Sequence, residues 1–165
     1  MAMKRNLLKI LAVGIVSCLI LTSNAFSASG RVAGKVQTEI EGESARLQLK
    51  ILEGESSTGK RFFKYKLADS SETVFVKVKY LRIDDGYAWF AGKALPGKSS
   101  TRSNQWVFAV VHDGGIPGEL VDHMWWQWLG EGDDAEKQAK EKVEELEQPE
   151  QNYPIESGDL VVENY

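Results

Sequence analysis

Val74-Phe-Val-Lys-Val-Lys-Tyr80 puts apolar side chains at 74, 76, 78 and 80 and sets Phe75, Lys77 and Lys79 between them. An apolar period of two, not 3.6, marks a half-buried strand with one face on a core and the other in water. Ala45, Leu47, Leu49 and Ile51 repeat the pattern against Arg46, Gln48 and Lys50. Looser runs at 32–40, 61–67, 87–91, 106–112 and 121–129 bring the expectation to about seven strands.

The segments between them carry turn chemistry: Glu41-Gly-Glu43, Gly54 to Gly59, Asp69-Ser-Ser71, Asp84-Asp-Gly86 and Gly114 to Gly118. Asp85-Gly86 is the strongest hairpin signal, because a two-residue turn needs positive φ and Gly adopts it without strain. Parallel strands would need crossover helices, and residues 30–129 show none. The fold class is therefore all-β, an antiparallel sandwich or barrel followed by a charged C-terminal helix.

Beyond Gly130 the pattern changes. Asp133 or Asp134 is placed to cap a helix whose apolar stripe is Ala135, Ala139, Val143 and Leu146, with Pro149 ending it. Glu136 with Lys140 and Lys137 with Glu141 are spaced as helical charge pairs. So narrow a stripe packs lightly on the β domain or leaves the helix projecting into solvent, and projection is the expectation. Residues 130–165 then form an acidic tail in which Leu160, Val161 and Val162 offer an edge strand.

At the other end Lys4 and Arg5 precede an apolar run from Leu7 to Leu21, which gives way to Thr22, Ser23, Asn24 and Ala25. That order of charged, apolar and small residues is a secretion signal covering residues 1–25, with cleavage after Ala25 or, second, after Ser27. A retained anchor is the competing reading, and Ile15-Val-Ser-Cys18 sketches a lipoprotein box that the apolar Leu19-Ile-Leu21 argues against. Cys18 is the single cysteine, so the mature chain has no disulfide, which favours bacterial export to the periplasm or cell surface. Losing Lys4, Arg5 and Lys9 and no acid takes the formal charge from −4 to −7. That balance and the export signal both exclude nucleic acid as a partner. After cleavage no membrane span is expected, the oligomeric state is open, and about 140 residues suffice for one core.

Chemistry-bearing residues are few. Gly54-Glu-Ser-Ser-Thr-Gly-Lys60 mimics a phosphate-binding loop, but Arg61 replaces the required Ser or Thr and a strand follows where a helix should start. His112, Asp113, Asp122 and His123 gather around one turn. Asp113 and Asp122 are candidate Ca²⁺ ligands, ahead of Zn²⁺ on the imidazoles. The competing reading has Asp113 bonding its own turn backbone and Asp122 capping the returning strand. No G-x-S-x-G or H-E-x-x-H is present, so no catalytic residue is assigned and the chain reads as a non-enzyme without a cofactor. A hydrolase built on the His112–His123 region is the remaining enzymatic alternative.

Met124, Trp126 and Trp128 alternate with His123, Trp125 and Gln127. The first set is expected to fill the core against Trp106, Phe108 and Val110. Trp125, with Gln127 and His123, is the candidate contact for an envelope glycan or a protein partner.

Phe90-Ala-Gly92, Trp106 to Val111, Asp113-Gly-Gly-Ile-Pro-Gly118 and Asp122-His-Met-Trp-Trp126, taken in order, resemble the post-COAP type β-rich domains of bacterial secreted and surface proteins. The resemblance implies an extracellular accessory domain with no catalytic role, and it aligns Asp113, Gly114, Pro117, Gly118 and Asp122 with a turn motif that is structural here. The three tryptophans are heavier than that family's aliphatics, and the domain carries a charged tail. The functional expectation is an exported, non-catalytic binding or structural module of the cell envelope. Its alternative is a barrel-type carrier of a small apolar ligand.

Overall fold

A computed structural model describes residues 30–40, 43–52, 61–67, 73–97, 101–115, 122–149 and 151–164. Residues 1–25, read above as a secretion signal, residues 54–60, and Pro117 and Gly118 lie outside these residues. Eight strands close an antiparallel barrel in sequence order: β1 (Gly30–Ile40), β2 (Glu43–Leu52), β3 (Phe62–Leu67), β4 (Val74–Asp84), β5 (Tyr87–Ala94), β6 (Trp106–His112), β7 (His123–Gly130) and β8 (Tyr153–Asn164). One helix, α1 (Asp133–Glu144), sits between β7 and β8. The barrel alternative is thus the one realised.

The alternation in β2 and β4 is the reason for the shape. Leu47, Leu49 and Ile51 of β2 and Val74, Val76 and Val78 of β4 all point inward and are buried. An eight-stranded barrel is just wide enough for side chains to fill. Here Phe63 packs edge-on to Phe90 with ring centres 5.8 Å apart, and tilts against Trp126 at 6.3 Å. Met124, Val107, Val111 and Leu160 complete the interior. Asp85 and Gly86 have φ of 45° and 75°, the paired positive values of the tight turn that Asp85-Gly86 predicts between β4 and β5.

Four sequence expectations are corrected. First, residues 130–165 are not a tail outside the domain. β8 pairs with β1 from Gly30↔Asn164 to Thr38↔Ile155 and closes the barrel as an eighth strand. Its apolar period is weak because Pro154 and Gly158 interrupt it, and Gly158 is obligatory: φ is 113°, and a Cβ there would run into the Lys35 carbonyl of β1.

Second, α1 docks instead of projecting. Ala135, Ala139 and Val143 are buried against the outward face of β5 and β6, on Trp89, Ala91, Trp106, Phe108 and Val110, with Leu146 packed at the edge. Trp106, Phe108 and Val110 therefore lie outside the barrel under the helix, and the inward partners of Met124, Trp126 and Trp128 are Val111, Ala109 and Val107. β6 is apolar on both faces, so alternation cannot say which face is which.

Third, neither Asp133 nor Asp134 caps α1. Gly132 holds the cap position without a side-chain hydrogen bond, and both aspartates stand in the first turn, where they favour the helix dipole. The helix ends at Glu144, before Pro149, with Leu146 in left-handed conformation at φ 55°. Fourth, Glu136 does not pair with Lys140. It reaches the barrel, where Lys79 and the Tyr80 hydroxyl both donate to it. Lys140 bonds Glu144 instead, and Lys137 meets Glu141 as the spacing predicts.

The pairings that close the barrel differ in extent. β1 pairs along almost its whole length with both β2 and β8. β7 and β8 share only two register pairs, His123↔Pro154 and Met124↔Tyr153. This seam is reinforced by the Ile155 amide donating to the Asp122 carbonyl at 2.8 Å. Buried Thr38 of β1 donates its hydroxyl to the Pro154 carbonyl at 2.7 Å, which ties the start of β8 to β1.

Candidate binding surface

The turn after β6 is built by the carboxylates singled out as candidate metal ligands. Asp113 accepts the Gly115 amide at 2.8 Å on Oδ1 and the Val162 amide at 3.0 Å on Oδ2. Asp122 accepts the Gly114 amide at 2.9 Å. These are turn and strand-pinning bonds, and they engage both oxygens of Asp113 with backbone donors. His112 and His123 are register partners across β6 and β7, and the His112 ring stacks on Tyr87 at 4.0 Å. Among the described residues no group of three or more His, Cys, Asp or Glu is placed to hold a metal ion.

Trp125 does face outward with His123 and Gln127, as alternation requires, so the three candidate contact residues share one face. Trp125 is half-buried, however, edge-on to Phe108 at 5.8 Å and packed on the cluster beneath α1. It is mostly wall packing, with Gln127 the exposed member of the row.

The opposite wall has a different chemistry. Cross-strand register aligns the outward residues in rows: Lys35, Gln48, Lys64 and Phe75; Gln37, Arg46 and Lys66; Ala33, Lys50, Phe62, Lys77 and Lys93. The outward positions Arg46, Gln48, Lys50, Lys64, Lys66, Phe75 and Lys77 of β2 to β4 hold no carboxylate, whereas β1 carries exposed Glu39 and sets Lys35 opposite Asp159 of β8. Among the described residues, no carboxylate forms an ion pair with Lys35, Arg46, Lys50, Lys64, Lys66, Lys77 or Lys93. Lys77 stands directly opposite Lys93, a like-charge pair that costs stability. Two open grooves run over this wall. One, of about 470 Å³, lies between Lys35, Arg46, Lys64 and Lys66, and the other, of about 580 Å³, between Arg31, Lys50 and Asp159.

Neutralised charge sits on the helix side. Lys79 and Tyr80 hold the Glu136 carboxyl below its ordinary value by hydrogen bonding, and the nearby Lys93 adds a weaker pull in the same direction. Hydrogen bonding to Glu136, and then to Tyr80, raises the Lys79 ammonium. The chain is acidic overall and still presents a cationic wall. The excess carboxylates are concentrated elsewhere, as on α1 with Asp133, Asp134, Glu136, Glu141 and Glu144.

Compared with protein-family models, curated proteins and solved structures, the chain matches none of them. The site is therefore read from its own residues. Sequence reasoning missed it because net charge averages over the surface. The signal was present in the even and odd positions of β2, β3 and β4, where every charged outward residue is Lys or Arg as far as Lys79.

Proposed function

We propose that this chain is an exported, non-catalytic binding module of the cell envelope, and that it meets an anionic envelope component with the outer wall of β1 to β4. The observation carrying this reading is the block of cations on that wall, Arg46, Lys50, Lys64, Lys66 and Lys77, continued by Lys93 of β5 opposite Lys77. Positive potential concentrated on one face steers an anion to that face even when the net charge is negative.

The arrangement of polarity supports a water-facing barrel. A membrane-spanning barrel turns an apolar band outward and keeps a polar interior; this barrel is apolar inside and lysine-rich outside. Among the described residues no helix is long and apolar enough to cross a membrane. Packing also weighs against the carrier alternative, because Phe63, Phe90, Met124 and Trp126 occupy the space that a ligand would need.

The test is titration of the purified protein with dextran sulfate, a soluble polyanion with no apolar part, in low and high salt. Binding is expected to weaken with salt and to fall at least tenfold in the Lys64→Gln/Lys66→Gln/Lys77→Gln/Lys93→Gln variant. Equal binding by the variant and the parent protein refutes the assignment of the wall. Unchanged binding by a His112→Ala/His123→Ala variant is expected as well, and a loss there would move the anion contact to the turn between β6 and β7.

A further inference from the structure

Two large apolar side chains stand exposed at the rim of the cationic wall: Phe75 is 46% exposed and Leu95 is 47% exposed. They are neighbours. The Leu95 amide donates to the Phe75 carbonyl at 2.7 Å, which extends the β4–β5 ladder one step past Val76↔Ala94. Lys64 lies opposite Phe75 on β3 with its Nζ 5.4 Å from the ring centre, and the Lys77–Lys93 pair is the next outward pair along the same two strands. The result is an apolar tip with ammonium groups on two sides, at the end of the barrel where β4 begins and β5 finishes.

We infer that this tip is an interfacial anchor for an anionic lipid bilayer, with Phe75 and Leu95 entering the headgroup boundary and Lys64, Lys66, Lys77 and Lys93 meeting the lipid phosphates. The inference rests on the reading of the wall as an anion-binding surface and names its occupant. A soluble polyanion accounts for the lysines and leaves Leu95 without a role, since an isobutyl group gains little from a sugar or a phosphate. A bilayer surface accounts for both, because apolar insertion and attraction to anionic headgroups act together in peripheral binding. Shape agrees with this, because a flat membrane touches a cylinder most easily at its rim, and the exposed pair is on the rim. Lys64 over the Phe75 ring covers the aromatic face in water and is free to exchange that contact for a phosphate at the membrane.

The experiment uses the secreted protein recovered from expression of the full chain, with its N-terminus read by mass spectrometry so that every variant is compared with the same end. Flotation with phosphatidylglycerol-containing vesicles and with pure phosphatidylcholine vesicles is measured beside dextran sulfate binding. The protein is expected to float with the anionic vesicles only. Phe75→Ser/Leu95→Ser should lose at least tenfold in vesicle affinity and keep its dextran sulfate affinity, and the four-lysine variant should lose both. Dye attached to a Phe75→Cys variant should be quenched by lipid-borne nitroxide. Dextran sulfate binding without vesicle binding, or vesicle binding indifferent to Phe75→Ser/Leu95→Ser, overturns the membrane anchor and leaves the anionic wall standing. Loss of neither probe in the four-lysine variant overturns both.

Discussion

The two outer walls of the barrel begin as the same object, strands whose inward residues are apolar, and differ in what stands outside them. On β5 and β6 the outward residues include Trp89, Ala91, Trp106, Phe108 and Val110, and α1 covers them. On β1 to β4 they are mainly Lys, Arg and Gln, and among the described elements α1 reaches this side at Lys79, Tyr80 and Arg82 of β4. The first wall spends its side chains on holding the molecule together, whereas the second leaves like charges facing each other. The first wall accounts for the fold, and the second is the one that the proposed function draws on.

The sharpest way to break this contrast is to truncate an aromatic on each wall. Phe108→Ala should cost about 3–5 kcal/mol, because the ring is fully buried between sheet and helix. Phe75→Ala should stay within about 0.5 kcal/mol, and urea unfolding of both variants checks the difference. Comparable losses at the two sites would mean that the bare wall is covered by something.

The turn between the walls comes next. Asp113→Ala removes the acceptor of both the Gly115 and Val162 amides and should cost about 1–3 kcal/mol in thermal unfolding. Added Ca²⁺ should leave the melting temperature of the parent protein unchanged. A calcium-dependent rise that Asp113→Ala abolishes would restore the metal reading.

A smaller effect tests the attachment of the helix. Glu136 is partly wet, so its bonds to Lys79 and Tyr80 act in a screened setting. Its folded-state pKa is lowered from an ordinary 4.5, so its contribution is present above that value and is lost as pH falls through the lowered one. Lys79 has the opposite sign: it is raised from 10.5, so its contribution is full below 10.5 and is lost as pH rises through the raised value. Glu136→Gln should therefore lower the melting temperature at neutral pH, with the difference from the parent protein closing in acid below the lowered pKa. A pH-independent difference would assign the effect to packing. The smallest change should be a gain: Lys77→Glu relieves the opposition to Lys93 and is expected to stabilise by a few tenths of a kcal/mol in urea while weakening anion binding.

The parts of this molecule legible in the sequence are those where one face is wet. Strict alternation in β2 and β4 and the Asp85-Gly86 turn identified strands and hairpin, because water on one side writes a period into the residues. Where both faces are buried, as in β6, the period disappears and the assignment of Trp106 and Phe108 to the interior failed. The helix stripe of Ala135, Ala139 and Val143 was readable, but its docking depended on an apolar patch supplied by β5 and β6, which spacing within the helix cannot reveal. β8 was obscured by Pro154 and Gly158, the residues that let it bend against β1. The aspartates at 113 and 122 stand out in the sequence as a pair around one turn, but spacing alone does not show that backbone amides of Gly114, Gly115 and Val162 bond to them.

The pairing of β1 with β8 has a kinetic consequence. These strands come from opposite ends of the described chain, so the ring closes only after the last segment has been synthesised and has searched out the first. Contacts of such long sequence separation slow folding, because loop entropy is lost before the ladder forms. Until then both β1 and the strands already assembled present open edges able to pair with another chain.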